Sequence, residues 1–415
     1  MSLKVRFGHR WMSFDLPAGF QTSFIVETGE VSQVDLAEAV KKALDAPLNS
    51  EKLEALAKRE TKVALIVDDV TRPTPVSKIY PFILERLNEA SEVKVIMALG
   101  LHGHPSRERL IGKLGEELAE KVIMHDPDHD LLSLGVTPQG TPVYINKLVV
   151  EADLRVALGT INPHPFAGYS GGPKILLPGV AGRVTIQHNH SLLYHPKASL
   201  GQLDSNPVYL DMFYAASKLP TFIVNVIPSL TEGCLGVVAG EAIEAHRKGA
   251  AEHTRHYMYN LTKPVDVAIT TSYPADINFY QAWKGVFSVC HAVRKGGAVI
   301  LASPCYEGMP IEKADVIKRY RLHELTLGEL RKVVEEGLLP DYVFGLIYLK
   351  LRMDLEGKEL VVVTDSMDER EVEALGFRYA PSIEDALRRL KSRMSNAGVL
   401  VNPYGAEVII RAAGQ

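Results

Sequence analysis

The residues best suited to chemistry lie in the run NPHPFAGYSGGPK at 162–174, which continues to His188 and His190. Gly168, Gly171 and Gly172 allow the backbone positive φ and a close approach to a ligand. Successive free N–H groups there, with the Ser170 hydroxyl, predict an anion nest for a phosphate. Lys174 follows at once, as a charge partner or as an amine nucleophile. The bland alternative is a glycine-rich turn with a surface lysine. His188 and His190 are two residues apart on a predicted helix, so they face different sides and cannot grip one metal together. That leaves one as a candidate ligand and the other solvated or packed. With no cysteine nearby, a closed four-ligand zinc site is not indicated. A lone imidazole ligand needs a metal already held by something else, which points to a metal-bearing cofactor.

Two further groups have the right types. Imidazole as a side-chain type titrates near neutrality, as proton transfer requires, which makes His102 and His164 candidates. Two histidines at one sheet edge fit a two-base reaction serving opposite faces of one carbon. In the segment DDVTRPTP (68–75), Arg72 suits a bidentate grip on a carboxylate, Asp69 suits ribose hydroxyls or a turn cap, and Asp68 suits the cap better. Later, Gln281 and Lys284 stand three apart on a predicted helix that begins near Tyr280 and so share a face. That face fits either an anionic substrate or plain solvent.

Elements must bring these groups together, and their pattern is α/β. Residues 62–67, 93–99 and 154–161 are continuous apolar, β-branched runs, as expected of strands buried on both sides. Asp69, Thr71 and Arg72, then His102, then His164, each fall just past the C-terminal end of one of these runs. Ligands bind at that edge in open α/β sheets. Thr74 and Pro75 are expected to cap a helix over 76–89. Shorter runs predict helices at 33–46 and 50–59 and a strand at 141–150. A second α/β set follows: strands at 265–270, 297–302 and 359–364, helices at 276–294, 311–318, 325–336, 341–353 and 383–394, and short strands at 399–401 and 407–410. We therefore expect two three-layer α/β domains, 1–262 and 263–415, with the site in a cleft between them and the last strands free to pack back on the first domain.

Composition narrows the function class. A net charge of −4 argues against a nucleic-acid footprint, which needs a basic face. No run approaches the roughly 18 apolar residues of a membrane span. The N-terminus lacks an apolar signal segment, and the three scattered cysteines suit a reducing compartment, so a cytoplasmic protein is expected.

DDVTRPTP (68–75), GLH (100–102), PHPFAGYSGGPKILLPG (163–179), NH (189–190) and DINFYQAWK (276–284), in this order, resemble the lactate racemase family over nearly the whole chain. The resemblance implies an isomerase that inverts C2 of a 2-hydroxy acid with a nickel-pincer nucleotide, a nickel(II) pyridinium-3,5-bisthiocarboxylic acid mononucleotide. It implies a covalent tether at Lys174, nickel ligation by His190, and acid/base roles for His102 and His164. Asp69, Thr71 and Arg72 match cofactor-binding positions, Arg72 also a substrate clamp, and Tyr280, Gln281 and Lys284 substrate-side positions. Ser170, Gly171 and Gly172 are expected to contact the cofactor through the nest described above. Proton-coupled hydride transfer is the implied chemistry: removing hydride from the α-carbon leaves a neutral carbonyl, whereas removing a proton puts a second charge beside the carboxylate. The implied partners are the small hydroxy acid and, transiently, the enzymes that make the cofactor, without which Lys174 stays free.

One departure concerns the substrate. Where the family pattern has arginine after the first histidine, this chain has Gly103, followed by His104. The smaller residue leaves room for a hydroxy acid longer or more polar than lactate, and His104 competes with His102. Two other classes are weighed. A nicotinamide-dependent dehydrogenase would need a G-x-G-x-x-G after a strand, which is missing. A non-catalytic nucleotide-cofactor carrier would not need two strand-end histidines.

Overall fold

The structure, a computed structural model, describes residues 2–27, 33–231 and 233–413. It divides into two compact units, one within Glu30–His256 and the other from Met1–Gly29 with Tyr257–Gln415. This division differs from the expected boundary at 262. The opening strands Leu3–Phe7, Arg10–Phe14 and Phe20–Ile25 belong with the C-terminal elements. Phe20–Ile25 runs parallel to Ala397–Asn402 as the edge strand of that unit's sheet. Its polar Gln21, Thr22 and Ser23 are exposed, as an edge strand tolerates, so nothing local announces where it pairs. The last strands likewise stay in this unit: Ala397–Asn402 pairs with Val265–Thr271, and Ile409–Ala412 pairs with Met258–Leu261.

In the Glu30–His256 unit, the described strands form a sheet in the order Cys234–Glu241, Phe222–Pro228, Leu154–Thr160, Lys62–Asp68, Glu92–Ala98, Ile123–Met124. All neighbours are parallel except the first pair. The chain builds outward from Lys62–Asp68 on one side, then returns to lay Leu154–Thr160 on the other. The order therefore reverses between these two strands, where ligand crevices open in such sheets. One face presents Val63, Leu65, Val67, Val156, Leu158, Val224 and Val226 to the helices Leu36–Asp45 and Val76–Arg86. Both faces are buried, which explains the unbroken apolar runs.

The other unit repeats the scheme with an all-parallel sheet in the order Arg378–Tyr379, Glu359–Val363, Val293–Ala302, Val265–Thr271, Ala397–Asn402, Phe20–Ile25. The helix expected over 276–294 is shorter, Phe279–Phe287, and the next strand begins at Val293. Ser288 ends it: its hydroxyl bonds the Gly285 carbonyl and accepts from Asn402 Nδ2, a partner 114 residues away. The helix expected over 50–59 is only Leu53–Leu56, and the strand expected over 141–150 is Pro142–Asn146 followed by the helical turn Lys147–Val150.

Candidate active site

The switch point of the Glu30–His256 unit holds most of the expected residues. Asp68 and Asp69 end the strand Lys62–Asp68, and they have separate tasks. Asp68 Oδ1 pairs with Lys113 Nζ at 2.7 Å, and its other oxygen accepts from the Thr74 hydroxyl. Thr74 Oγ1 also lies 2.6 Å from Thr160 Oγ1. The hydroxyl expected to cap a helix thus ties two strand ends together instead, and Pro75 stands at the N-cap of Val76–Arg86 with no side-chain cap. Lys113, which sequence reasoning did not single out, also donates to the Arg72 carbonyl at 3.0 Å and so fixes the loop.

Asp69 is 5% exposed. Its Oδ1 accepts from the Thr71 N–H at 2.6 Å, and its Oδ2 accepts from His102 Nδ1 at 3.1 Å. Burial pushes its carboxyl up, but the charge and hydrogen bond of His102, then Arg72 and Thr71, outweigh this and hold it well below the usual range. A carboxylate on Nδ1–H leaves the His102 lone pair on Nε2, so the ring is oriented as a base. His104, two residues on, is exposed, whereas it is His102 that meets Asp69.

His164 is buried in the short strand Pro163–His164, which pairs with Gly168–Tyr169. Its Nδ1 accepts from the Ala167 N–H at 3.3 Å, which places the proton of the neutral ring on Nε2. The two histidines therefore differ in their neutral forms: His102 offers a lone pair at Nε2, His164 an N–H. Phe166 lies edge-on between His164 and His190, with ring centroids 4.5 Å and 5.1 Å away.

Lys174 sits in the 3-10 turn Gly172–Ile175. Surrounding protein, then the Arg72 charge, push its amine down to about 7, against a smaller opposite pull from Asp69. An amine neutral near pH 7 is a nucleophile. His190 is buried on the helix Arg183–Ser191, while His188 on the same helix is exposed, as the two-residue spacing requires. Burial, then Lys174, push His190 down to about 3, so its ring is neutral and able to ligate a metal.

A pH dependence follows from these two depressed groups. In each case the unfolded chain binds a proton that the folded chain does not. Stability therefore rises with pH, from about 3 towards 6.5 for His190 and from about 7 towards 10.5 for Lys174. Urea unfolding of cofactor-free Lys174→Met is expected to show a shallower rise in stability between about pH 7 and 9 than the parent chain.

The glycine run departs from its expected use. The Ser170 hydroxyl donates to the Thr160 carbonyl at 2.7 Å and accepts from Asn162 N–H at 2.9 Å. The Gly172 N–H donates to Asn225 Oδ1 at 2.7 Å. These groups stitch the loop to the strand ends and are not free to form an anion nest. A Cβ on Gly171 would come within 2.6 Å of Asn225 Oδ1, and one on Gly172 would overlap the His246 ring. Packing against protein, with φ of 75° and 52°, is what requires glycine there.

The remaining expected residues belong to the other unit. Asn278 caps the helix Phe279–Phe287 by accepting from the Gln281 N–H. Lys284 Nζ donates to Gln281 Oε1 at 2.5 Å, so the shared face is real. The Tyr280 ring packs edge-on against Trp283 and Phe344 with Lys313 Nζ above it, within an aromatic cluster. In this unit Cys290, His291 and Asp354 also approach one another closely enough to hold a cation. Lys350 Nζ already meets both Asp354 oxygens at 2.6 Å and 2.8 Å, so an ammonium takes that place.

The residues fit a tethered metal nucleotide. The Lys174 charge lies close enough to the buried His190 imidazole to help push its titration down. The Thr71 hydroxyl oxygen is among the buried polar atoms without a hydrogen bond. Each such group costs about 1–3 kcal/mol, a cost offset when a ligand supplies the partner.

Family models described as the lactate racemase N-terminal and C-terminal domains match residues 7–201 and 261–410. A lactate racemase of Thermoanaerobacterium thermosaccharolyticum is 32% identical over 428 residues, covering 99% of both chains, and one of Lactiplantibacillus plantarum is 32% identical over 395 residues, covering 90% of this chain and 91% of the relative. The lactate racemase apoprotein structure from T. thermosaccharolyticum superposes with a TM-score of 0.88 at 31% identity, covering 99% of this chain and 100% of that one. A Thermotoga maritima protein shares the fold at a TM-score of 0.70 and 18% identity, covering 92% and 100%. Among the described residues no helix is long and apolar enough to cross a membrane. Matched from end to end by these relatives, and carrying the five motifs, the chain belongs to the lactate racemase family and is an isomerase, a racemase.

Proposed function

We propose that this racemase interconverts the enantiomers of a small 2-hydroxy acid, lactate or a longer relative, with a nickel-pincer nucleotide tethered to Lys174. The observation that carries the reading is the gathering at one switch point of a lysine whose amine is pushed down to about 7, a buried imidazole at His190, and two histidines whose Nδ1 atoms meet opposite partners, a carboxylate at His102 and an N–H at His164. Lys174 would hold the cofactor covalently and His190 would complete its metal coordination. When bound, that group supplies a reversible hydride acceptor for the α-carbon.

The chain's own residues supply the rest. His102 takes the hydroxyl proton at Nε2, and Asp69 stabilises the imidazolium that forms. His164 directs Nε2–H toward the carbonyl oxygen on the opposite face and, after taking a second proton from solvent, gives one up from Nε2 as the other enantiomer forms, which leaves its ring neutral. Arg72 clamps the carboxylate, and Thr71 Oγ1 donates to the cofactor. Gln281 and Lys284 are assigned to the substrate by the resemblance alone. A dehydrogenase or a non-catalytic carrier is disfavoured by the racemase family to which the chain belongs.

Enantiopure lactate, malate, aryl-lactates and sugar acids, incubated with protein co-produced with the cofactor's biosynthetic enzymes, test the reading through loss of optical rotation or, for the sugar acids, through appearance of the C2 epimer. We expect one hydroxy acid to racemise, with room at Gly103 favouring a substrate larger than lactate. Inversion at C2 in none of them would sink the proposal.

A further inference from the structure

Behind the turn that carries Lys174 stand two buried side chains that the reaction above does not use. His246, on the helix Ala242–Tyr257, is fully buried. Its Nε2–H donates to the Ser170 carbonyl at 2.9 Å, and its Nδ1 faces the Tyr209 hydroxyl at 3.4 Å. The ring lies where a Gly172 side chain would be and stacks on Tyr209 at 5.7 Å. Asn225, 1% exposed on the strand Phe222–Pro228, accepts from the Gly172 N–H at 2.7 Å. One residue on each side of Gly171 is thus anchored, by its carbonyl or by its N–H, to a different element of the unit. Lys174 N–H in turn bonds the Gly171 carbonyl at 3.2 Å. With the Ser170 bonds to Thr160 and Asn162, these two anchors therefore set the backbone position of the lysine.

We propose that His246 and Asn225 are positioning residues for Lys174, fixing the Ser170–Lys174 turn so that the amine stays in its seat beside Arg72 and Asp69. Neither touches the reacting atoms. The inference rests on Lys174 being the reactive amine. A burial of this kind keeps His246 neutral, with its pKa pushed down to about 4, so the tautomer that donates to Ser170 persists across the working range. Loss of either anchor frees a glycine-rich turn whose backbone has many alternatives.

Acylation of cofactor-free protein by N-acetoxysuccinimide, followed by peptide mass spectrometry with the other lysines as internal reference, reads the placement of the amine. A lysine released to solvent is an ordinary protonated amine. His246→Leu is therefore expected to slow acylation of Lys174 alone by at least about tenfold. His246→Gln keeps an N–H able to reach the Ser170 carbonyl and is expected to restore most of the rate. If His246→Leu does not fold, Asn225→Ser, a smaller change, takes its place. A folded His246→Leu or Asn225→Ser chain acylated at Lys174 at the parent rate overturns the proposal. So does a His246→Gln chain no faster than His246→Leu. Failure of the cofactor to attach to Lys174 in loaded protein would instead sink the tether and leave this comparison standing.

Discussion

Lys174→Ala is expected to abolish both the covalent adduct and racemisation, while the protein folds and keeps its other site residues. Intact mass and metal analysis of protein co-produced with the cofactor's biosynthetic enzymes should show an added mass and about one nickel per parent chain, and neither in the variant. The physical ground is the amine itself. Surrounding protein and the Arg72 charge bring it down to about 7, so it is largely neutral where surface lysines are protonated. Lys174→Arg is the stricter control, because guanidinium keeps the charge and cannot be deprotonated in a protein. A variant at position 174 that still carries the adduct, or a fully active parent free of nickel, would remove the tether from the mechanism. His190→Ala is expected to lose metal while retaining added mass at Lys174.

The second large effect concerns the acid/base pair. His102→Ala and His164→Ala should each slow racemisation by roughly 10²–10⁴-fold with the adduct intact, the range that general acid–base catalysis ordinarily contributes. Asp69→Asn probes the dyad more finely. A carboxamide cannot stabilise the His102 imidazolium, and its NH2 group can turn the imidazole to the tautomer with the proton on Nε2. A loss on the order of 10³-fold or more is expected. Optical rotation measures the loss, and intact mass verifies loading. An Asp69→Asn enzyme as fast as the parent would show that the 3.1 Å contact with His102 serves only packing.

The sequence by itself determined the layered class and the edge at which chemistry gathers. Buried parallel strands must be apolar on both faces, so 62–67, 93–99 and 154–161 read plainly, and polar residues at their C-terminal ends stand out. It also separated His188 from His190, because a helix turns about 200° between them. Tertiary structure decided what the polar groups were for. Ser170 and the Gly172 N–H looked like ligand donors, yet both are spent on strand partners, Thr160 for the first and the more distant Asn225 for the second. Thr74 looked like a helix cap, yet bridges Asp68 and Thr160. His246 and Lys113 carry no local pattern at all, since their meaning lies in the groups that folding sets against them. The same holds for the strand Phe20–Ile25, whose partner lies at the other end of the sequence. Local patterns record burial and periodicity. Which donor meets which acceptor is settled only when the sheet closes and each buried polar group must find a partner.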